Sequence, residues 1–392
     1  MHFAARRRTY PSGGARGDSS LDTAVTPRRR LRILTNVPAI GRLLPEHVEC
    51  VPWLAAGGGP AERLRRITAI AREAYRADVA FFECDPRVGL EFAAVAGALP
   101  GRRCQIVLSD LVLAAPRTWR QRVATRAKRA AFRAVRLCVL VQRNFDAYRK
   151  YYGLRPEQVA YVPFKVNYDD LVARLTPTDE GYYFAGGVTH RDWPTLARAS
   201  RQLSARFVVA VPNDAELARR GVTTAAPDPA AFGPNVRVVR HGADPAEWVG
   251  LAARARGVVL PIDKDSPNPS GVSTYLTVMA LGKPVVVSAG PSADGILDES
   301  LALVVPAGDP GALRDAVARL EADPALRARL GEAGREYSRA CGGEDRLYRD
   351  YLGLLFQVAG QPVPTVLTEP ASTAEVASGP TPAAARVEPQ SR

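Results

Sequence analysis

The sequence predicts an α/β protein of two domains, each built on a parallel sheet, and three observations carry that prediction. Short apolar runs alternate with helical stretches along most of the chain, the pattern left by strands joined through crossover helices. The alternation breaks between Asn167 and Gly181, where polar residues with Pro177 and Thr178 interrupt it, and then restarts. At 392 residues, 46% hydrophobic and 24% charged, the chain is long enough to bury two sizeable cores.

In chain order, Leu31-Arg-Ile-Leu-Thr reads as a first strand, Ala61 to Arg76 as a helix, and Asp78-Val-Ala-Phe-Phe as a second strand. Gln105-Ile-Val-Leu, Leu137-Cys-Val-Leu-Val and Val159-Ala-Tyr-Val continue the set. Beyond the break, Tyr182-Tyr-Phe-Ala leads to Gly186 and Gly187, a helix over Pro194 to Leu203 and the strand Arg206-Phe-Val-Val-Ala-Val. Asn235-Val-Arg-Val-Val, a helix from Pro245 to Arg256 and the strand Gly257-Val-Val-Leu-Pro-Ile follow. Residues 313–338 read as an amphipathic helix interrupted near Pro324, and Glu344 to Val358 as a final helix. Residues 1–29 are polar, Gly- and Arg-rich and without periodicity, and residues 361–392 are a patternless run of Pro, Ala, Thr, Ser and Val; both are expected to be disordered. The domains expected are therefore 30–172, joined by the helix 344–358, and 173–343.

Bulk properties exclude several functions. The longest apolar runs fall far short of the ~20 residues that span a bilayer, and no apolar core of a signal peptide follows the early arginines. Five cysteines, odd in number and without a Cys-x-x-Cys pair, predict reduced thiols in a cytosol. The four histidines are dispersed, so no metal centre is expected. The net charge of +13 is not diffuse: between Asp110 and Asp146 there is no acidic residue, while Arg117, Arg120, Arg122, Arg126, Lys128, Arg129, Arg133, Arg136 and Arg143 fall there. Trp119, Val123, Phe132 and Val135 are interleaved. Such a helix, near 117–136, suits a peripheral contact with an anionic membrane or a phosphate-bearing acceptor. Nucleic acid is disfavoured, because no nucleic-acid motif accompanies the charge, and a solvated helix face gives the same pattern.

The most informative segment runs from Ser270 to Ser288. Ser270, Gly271, Ser273 and Thr274 open an apolar helix that stops at Gly282, and Pro284 leads into the buried-type strand Val285 to Val287. A helix start offers unpaired N–H groups and a positive dipole end, a seat for phosphate. An ordinary helix–strand unit has the same pattern.

The run Thr277-Val-Met-Ala-Leu-Gly-Lys-Pro-Val-Val, then Leu303-Val-Val-Pro-Ala-Gly-Asp-Pro-Gly-Ala-Leu and Leu330-Gly-Glu-Ala-Gly-Arg, resembles the nucleotide-sugar domain of family-4 glycosyltransferases with the GT-B fold. The resemblance implies two Rossmann-like domains facing a cleft, with the last helix crossing back to the first domain. It also implies a nucleotide-diphosphate sugar as donor substrate and no separate cofactor, with transfer to a hydroxyl acceptor that is retaining and metal-independent. Ser270, Gly271, Ser273 and Thr274 would hold the diphosphate. The matching start of the second domain, Phe184-Ala-Gly-Gly-Val-Thr-His-Arg-Asp-Trp, places Gly186, Gly187 and the basic Arg191 at that diphosphate, with Gly187 where an arginine is usual. Surface pairing of Arg191 with Asp192 is the alternative.

The chain diverges from the family at a pair of glutamates, whose positions Pro269 and Thr277 occupy. Thr277 offers a hydroxyl there, and Asp263, Lys264 and Asp265 are nearby candidates for the missing contacts. Asp110, after an apolar strand, is the candidate to orient an acceptor hydroxyl, with capping or loop ordering as its alternative. His241 is a candidate neighbour of the base. The divergence leaves open a non-catalytic GT-B protein that binds a partner transferase or phosphorylated ligand, and a sugar-nucleotide epimerase on the same architecture.

Overall fold

A computed structural model describes residues 30–53, 60–219 and 227–368; the expectations for 1–29 and 369–392 lie outside the described residues. Twelve strands form two six-stranded sheets among the described residues. The first holds β1 (Leu31–Thr35), β2 (Val48–Pro52), β3 (Val79–Glu83), β4 (Gln105–Ser109), β5 (Leu137–Leu140) and β6 (Val159–Tyr161). The second holds β7 (Tyr182–Gly186), β8 (Arg206–Pro212), β9 (Val236–His241), β10 (Gly257–Leu260), β11 (Val285–Ser288) and β12 (Leu303–Val305). Neighbouring strands pair in parallel throughout. Parallel pairing requires a crossover between strands, and helices on both faces explain why the central strands read as unbroken Val, Ile and Phe runs.

The orders are β2-β1-β3-β4-β5-β6 and β12-β11-β10-β7-β8-β9. Each sheet reverses its winding once, between β1 and β3 in the first and between β7 and β10 in the second. At such a switch point the loops leaving the carboxyl ends of two adjacent strands part to opposite faces and open a crevice. In the first sheet the reversal is braced by Asn36, whose side-chain amide accepts from the Glu83 amide and donates to the Glu83 carbonyl, both at 2.9 Å.

Helix starts are set by a repeated Asp-Pro signal. Asp85, Asp244, Asp309 and Asp323 each accept a backbone N–H while the following proline occupies the first helical turn. The interruption expected near Pro324 is one of these caps, separating the helices Pro310–Ala322 and Pro324–Cys341. The expected crossover is observed: the helix Glu344–Val358 buries Leu347, Tyr351, Leu352, Leu355 and Phe356 against Ile33, Phe81, Val107 and Val139 of the first sheet. At about 1.5–3 kcal/mol per large apolar side chain, this face is a major contribution to the first core. The chain continues into a short helix, Thr365–Thr368, whose Leu367 joins the same core, so this part of the segment expected to be a patternless tail is ordered.

Strands β2 and β12 were not expected. The first carries Glu49 and Pro52, tolerated because β2 is an edge strand paired only with β1. The second is three residues long, too short for a pattern.

Leu352→Ala, which empties a fully buried site, is expected to lower unfolding free energy by about 2–5 kcal/mol in urea melts. Val366→Ala, at an exposed position, is expected to change it by less than about 0.5 kcal/mol.

Candidate nucleotide and acceptor site

At the switch point of the second sheet, β7 ends at Gly186 and β10 at Leu260. The loops that follow are tied by an isolated antiparallel bridge between Arg191 and Ile262. Between them and the helix Val272–Ala280 opens a cavity of about 360 Å³, lined by Gly187, Thr189, Arg191, Gly271, Ser273, Thr274 and Thr277 on one side. Asn167, Tyr168, Phe184, His241 and Trp248 close the other.

Arg191 is 7% exposed. Its Nε donates to the Gly186 carbonyl at 2.7 Å, Nη1 to the Thr189 carbonyl at 2.9 Å and Nη2 to the Thr274 hydroxyl at 3.3 Å. Three of the guanidinium's five N–H donors are thus used by neutral acceptors, leaving two. No carboxylate among the described residues pairs with it. Asp192, its alternative partner, instead caps the helix Trp193–Ser200 through the amide and hydroxyl of Thr195. Burial lowers the Arg191 pKa to about 10, so it remains a cation at neutral pH.

The glycines of the motif make room for that cation. Gly187 lies at φ +116, and a Cβ there would strike the Arg191 guanidinium. Gly271 is the N-cap of the helix Val272–Ala280 at φ +95, and unlike the Asp-Pro helices this one has no side-chain cap. Its first-turn N–H groups and dipole therefore face the cavity beside Arg191.

The predicted residues separate into groups. Gly187, Arg191, Gly271, Ser273, Thr274 and Thr277 share the cavity. Gly186 contributes the carbonyl that holds Arg191. Ser270 does not line this cavity; its hydroxyl lies 3.3 Å from that of Ser266, and it faces a second cavity. Thr277 is fully buried, and its hydroxyl contacts the carbonyls of Ser273 and Asn167 at 2.8 and 3.2 Å, so its one proton is committed to backbone and only its acceptor capacity is left toward the cavity. Asp263, Lys264 and Asp265 line neither cavity, and Asp263 accepts the Asp265 amide in a local turn.

The Gly-Lys-Pro turn is also remote from the cavity. Lys283 is buried and donates to the carbonyls of Thr178 and Ala255, while Gly282 lets the helix Pro324–Cys341 pack closely through Gly331. Its role is to fasten the sheet.

The second cavity, about 240 Å³, adjoins the first through Asn167, Thr189, Gly271 and Ser273. Asp110 enters it from the first sheet and His190 from the second. Asp110 follows β4 and Cys84 follows β3; both hold left-handed backbone, at φ +43 and +55, and the Cys84 thiol donates to the Asp110 carboxylate at 3.0 Å. Two strained non-glycine residues at adjacent strand ends mark a place where geometry is held against local preference. Asp110 caps no helix; Thr118 does so for the helix Trp119–Phe132. Burial raises the Asp110 pKa, opposed by the thiol and by Lys165. The cleft is bridged beside it by Asn268, whose Oδ1 accepts from the Leu113 amide at 3.0 Å and the Tyr148 hydroxyl at 2.8 Å.

Sequence reading missed Tyr168, Trp248 and His190, which line the cavities, and Glu83, which ends β3 next to Cys84. Glu83 carried a legible signal, a carboxylate ending an otherwise apolar strand. Burial and the nearby Asp110 charge raise its pKa to about 7, with Lys165 opposing. His190, at φ +52, is half-buried, and burial lowers its pKa. Trp248 packs with Phe184 and Tyr168 at 6.3 and 6.1 Å between ring centres, forming a wall that only the fold assembles.

No protein-family model matches the chain, and no curated protein matches it. Solved structures do. Sucrose-phosphate synthase from Thermosynechococcus elongatus aligns with a TM-score of 0.59 at 15% identity, covering 84% of this chain and 100% of that one. HepE of Anabaena in complex with UDP aligns at 0.58 and 14%, with the same coverage, and a glycosyltransferase from Rickettsia africae at 0.57 and 12%, covering 84% and 98%. The chain thus has the GT-B fold of these glycosyltransferases.

Gly187→Ala is expected to cost about 2 kcal/mol or more in chemical denaturation, through collision with Arg191 as well as backbone strain. Gly101→Ala, also at positive φ but with open space around it, is expected to cost only about 1–2 kcal/mol. A second expectation concerns Glu83. Its carboxyl holds a proton in the folded state between its ordinary value, near 4.5, and about 7, where the unfolded chain has lost it. Stability should therefore fall as pH rises through that window, by about 1–3 kcal/mol, and Glu83→Gln should flatten this slope in melts taken across it.

Proposed function

We propose that this protein is a glycosyltransferase of the family-4 type, moving a sugar from a nucleotide-diphosphate donor to a hydroxyl acceptor with retention and without a metal ion. The observation that carries the reading is Arg191, a buried cation without a carboxylate partner among the described residues, beside an uncapped helix start at a topological switch point. A buried charge left uncompensated is costly, and a dianionic diphosphate offsets that cost. HepE, of the same fold, has been crystallised with UDP and with UDP-glucose.

On this reading the diphosphate lies between Arg191 and the amides of the helix start, with the base toward His241 and Trp248. The sugar then sits where the two cavities meet. As the glycosidic bond breaks, negative charge grows on the leaving phosphate, and a preorganised guanidinium with helix-end N–H groups stabilises that charge more in the transition state than before it. Asp110 orients the acceptor hydroxyl from the opposite wall. In a retaining transfer the leaving phosphate takes the acceptor proton, so no further base is needed. The protein acts in the cytoplasm, and its basic helix makes a peripheral contact with an anionic membrane.

Thermal melts with UDP-, GDP-, ADP- and dTDP-sugars test the donor site. One donor at about 100 times its Kd should add roughly 2.7 kcal/mol of stability. Arg191→Met should weaken that donor's binding by about 10-fold or more and lower turnover further. Stabilisation with no turnover on any acceptor in a cell lysate would favour the non-catalytic reading. Unchanged donor binding and turnover in Arg191→Met would refute the assignment.

A further inference from the structure

The nine cations between Asp110 and Asp146 are set apart from the chain's other arginines. Elsewhere cations meet carboxylates repeatedly, as in Arg32 with Glu49 and Glu73, Arg256 with Asp179 and Glu321, and Arg346 with Asp350. Among the described residues none of the nine has an acidic partner. Self-repulsion on this scale, left uncompensated within the fold, calls for an anionic surface outside it.

The same region exposes apolar side chains. Residues 117–124 are all exposed, so the first turns of the helix Trp119–Phe132 stand free of the core, which it meets through Thr125, Ala131 and Phe132. Trp119 is 70% exposed and Val123 54%, one helical turn apart on one face. Indole and aliphatic groups amid arginines suit the interfacial zone of a bilayer, where rings sit at headgroup level and guanidinium groups meet lipid phosphates. Nucleic acid gives no reason for the exposed valines.

This surface is continuous with the acceptor cavity. The loop from Asp110 to Thr118 starts on the cavity wall and ends at the helix cap. Its Val112 both lines the cavity and is 58% exposed. The cavity combines apolar Val112, Val141 and Phe164 with polar Asp110, His190 and Asn268.

We infer that Trp119, Val123 and the surrounding arginines seat on an anionic lipid surface and that the acceptor is itself membrane-borne: an anionic amphiphile whose hydroxyl reaches Asp110 past Val112 while its charged headgroup stays among the arginines. The acceptor part rests on the glycosyl-transfer reading above; the surface part does not.

Flotation of the full chain with vesicles tests the surface. Binding is expected to phosphatidylcholine vesicles carrying about 30% phosphatidylglycerol, and not to phosphatidylcholine alone. It should fall steeply between about 0.1 and 0.5 M salt. Replacing Arg120, Arg122 and Arg126 together with Gln should weaken binding about 100-fold, and Trp119→Ser with Val123→Ser about 10-fold. Equal flotation with both vesicle types, or flotation unchanged in these variants, overturns the surface. So does tight binding to polyuridylate without flotation, which would make the patch a nucleic-acid one.

For the acceptor, radiolabelled donors are incubated with the protein and vesicles of the source cells' total lipid, beside a parallel arm of their water-soluble metabolites. Label passing into the organic phase is the expected result. Label passing only to water-soluble compounds overturns the acceptor class and leaves glycosyl transfer standing. No transfer in either arm overturns both.

Discussion

The structure depends on one interaction: a guanidinium buried among neutral acceptors. Arg191 is held by the carbonyls of Gly186 and Thr189 and by the Thr274 hydroxyl, contacts that fix its direction without cancelling its charge. The effective cost of burying an unpaired ion is several kcal/mol. The surrounding features all accommodate it. Gly187 leaves space for the side chain, Gly271 starts a helix without a capping oxygen, and the reversed strand order parts the two loops so that the charge faces a cavity. A protein that needed Arg191 only for folding would gain by placing a carboxylate beside it, and Asp192 is adjacent but turned to a helix cap.

The two cavities divide the work between the sheets. The Arg191 cavity is lined by the loop after β7, by Gly271 and the start of the helix Val272–Ala280, and by His241 and Trp248. The first sheet supplies Asp110, oriented by the Cys84 thiol across neighbouring strand ends. The closing contact of Asn268 with Leu113 and Tyr148 fixes the distance between these contributions. Thr277, with its proton committed to the backbone, presents a neutral acceptor to the cavity.

Much of the fold was legible because parallel strands buried on both faces leave apolar runs that local sequence cannot disguise. The helix Glu344–Val358 was legible to the residue, since its apolar face repeats cleanly and two glycines precede it. β2 was not, because an edge strand tolerates Glu49 and Pro52. Of the site, the motif around Gly271 and the loop carrying Arg191 could be read, as both are contiguous in sequence. The cavity wall of Asn167, Tyr168 and Trp248 joins three separate segments and leaves no local trace. Ser270 and Lys283 are close to Gly271 in sequence but lie away from the Arg191 cavity. A left-handed φ at the helix N-cap turns Ser270 to the other cavity, and Lys283 lies a full helix length away from the N-terminus that faces the donor side.

The central claim is that the Arg191 cavity is built for a diphosphate and not for a base or sugar alone. Calorimetric titration with each nucleoside diphosphate and with its parent nucleoside tests this directly. The account predicts that one diphosphate binds about 100-fold or more tightly than its nucleoside. Equal affinity for the pair, or binding of no diphosphate, would contradict it.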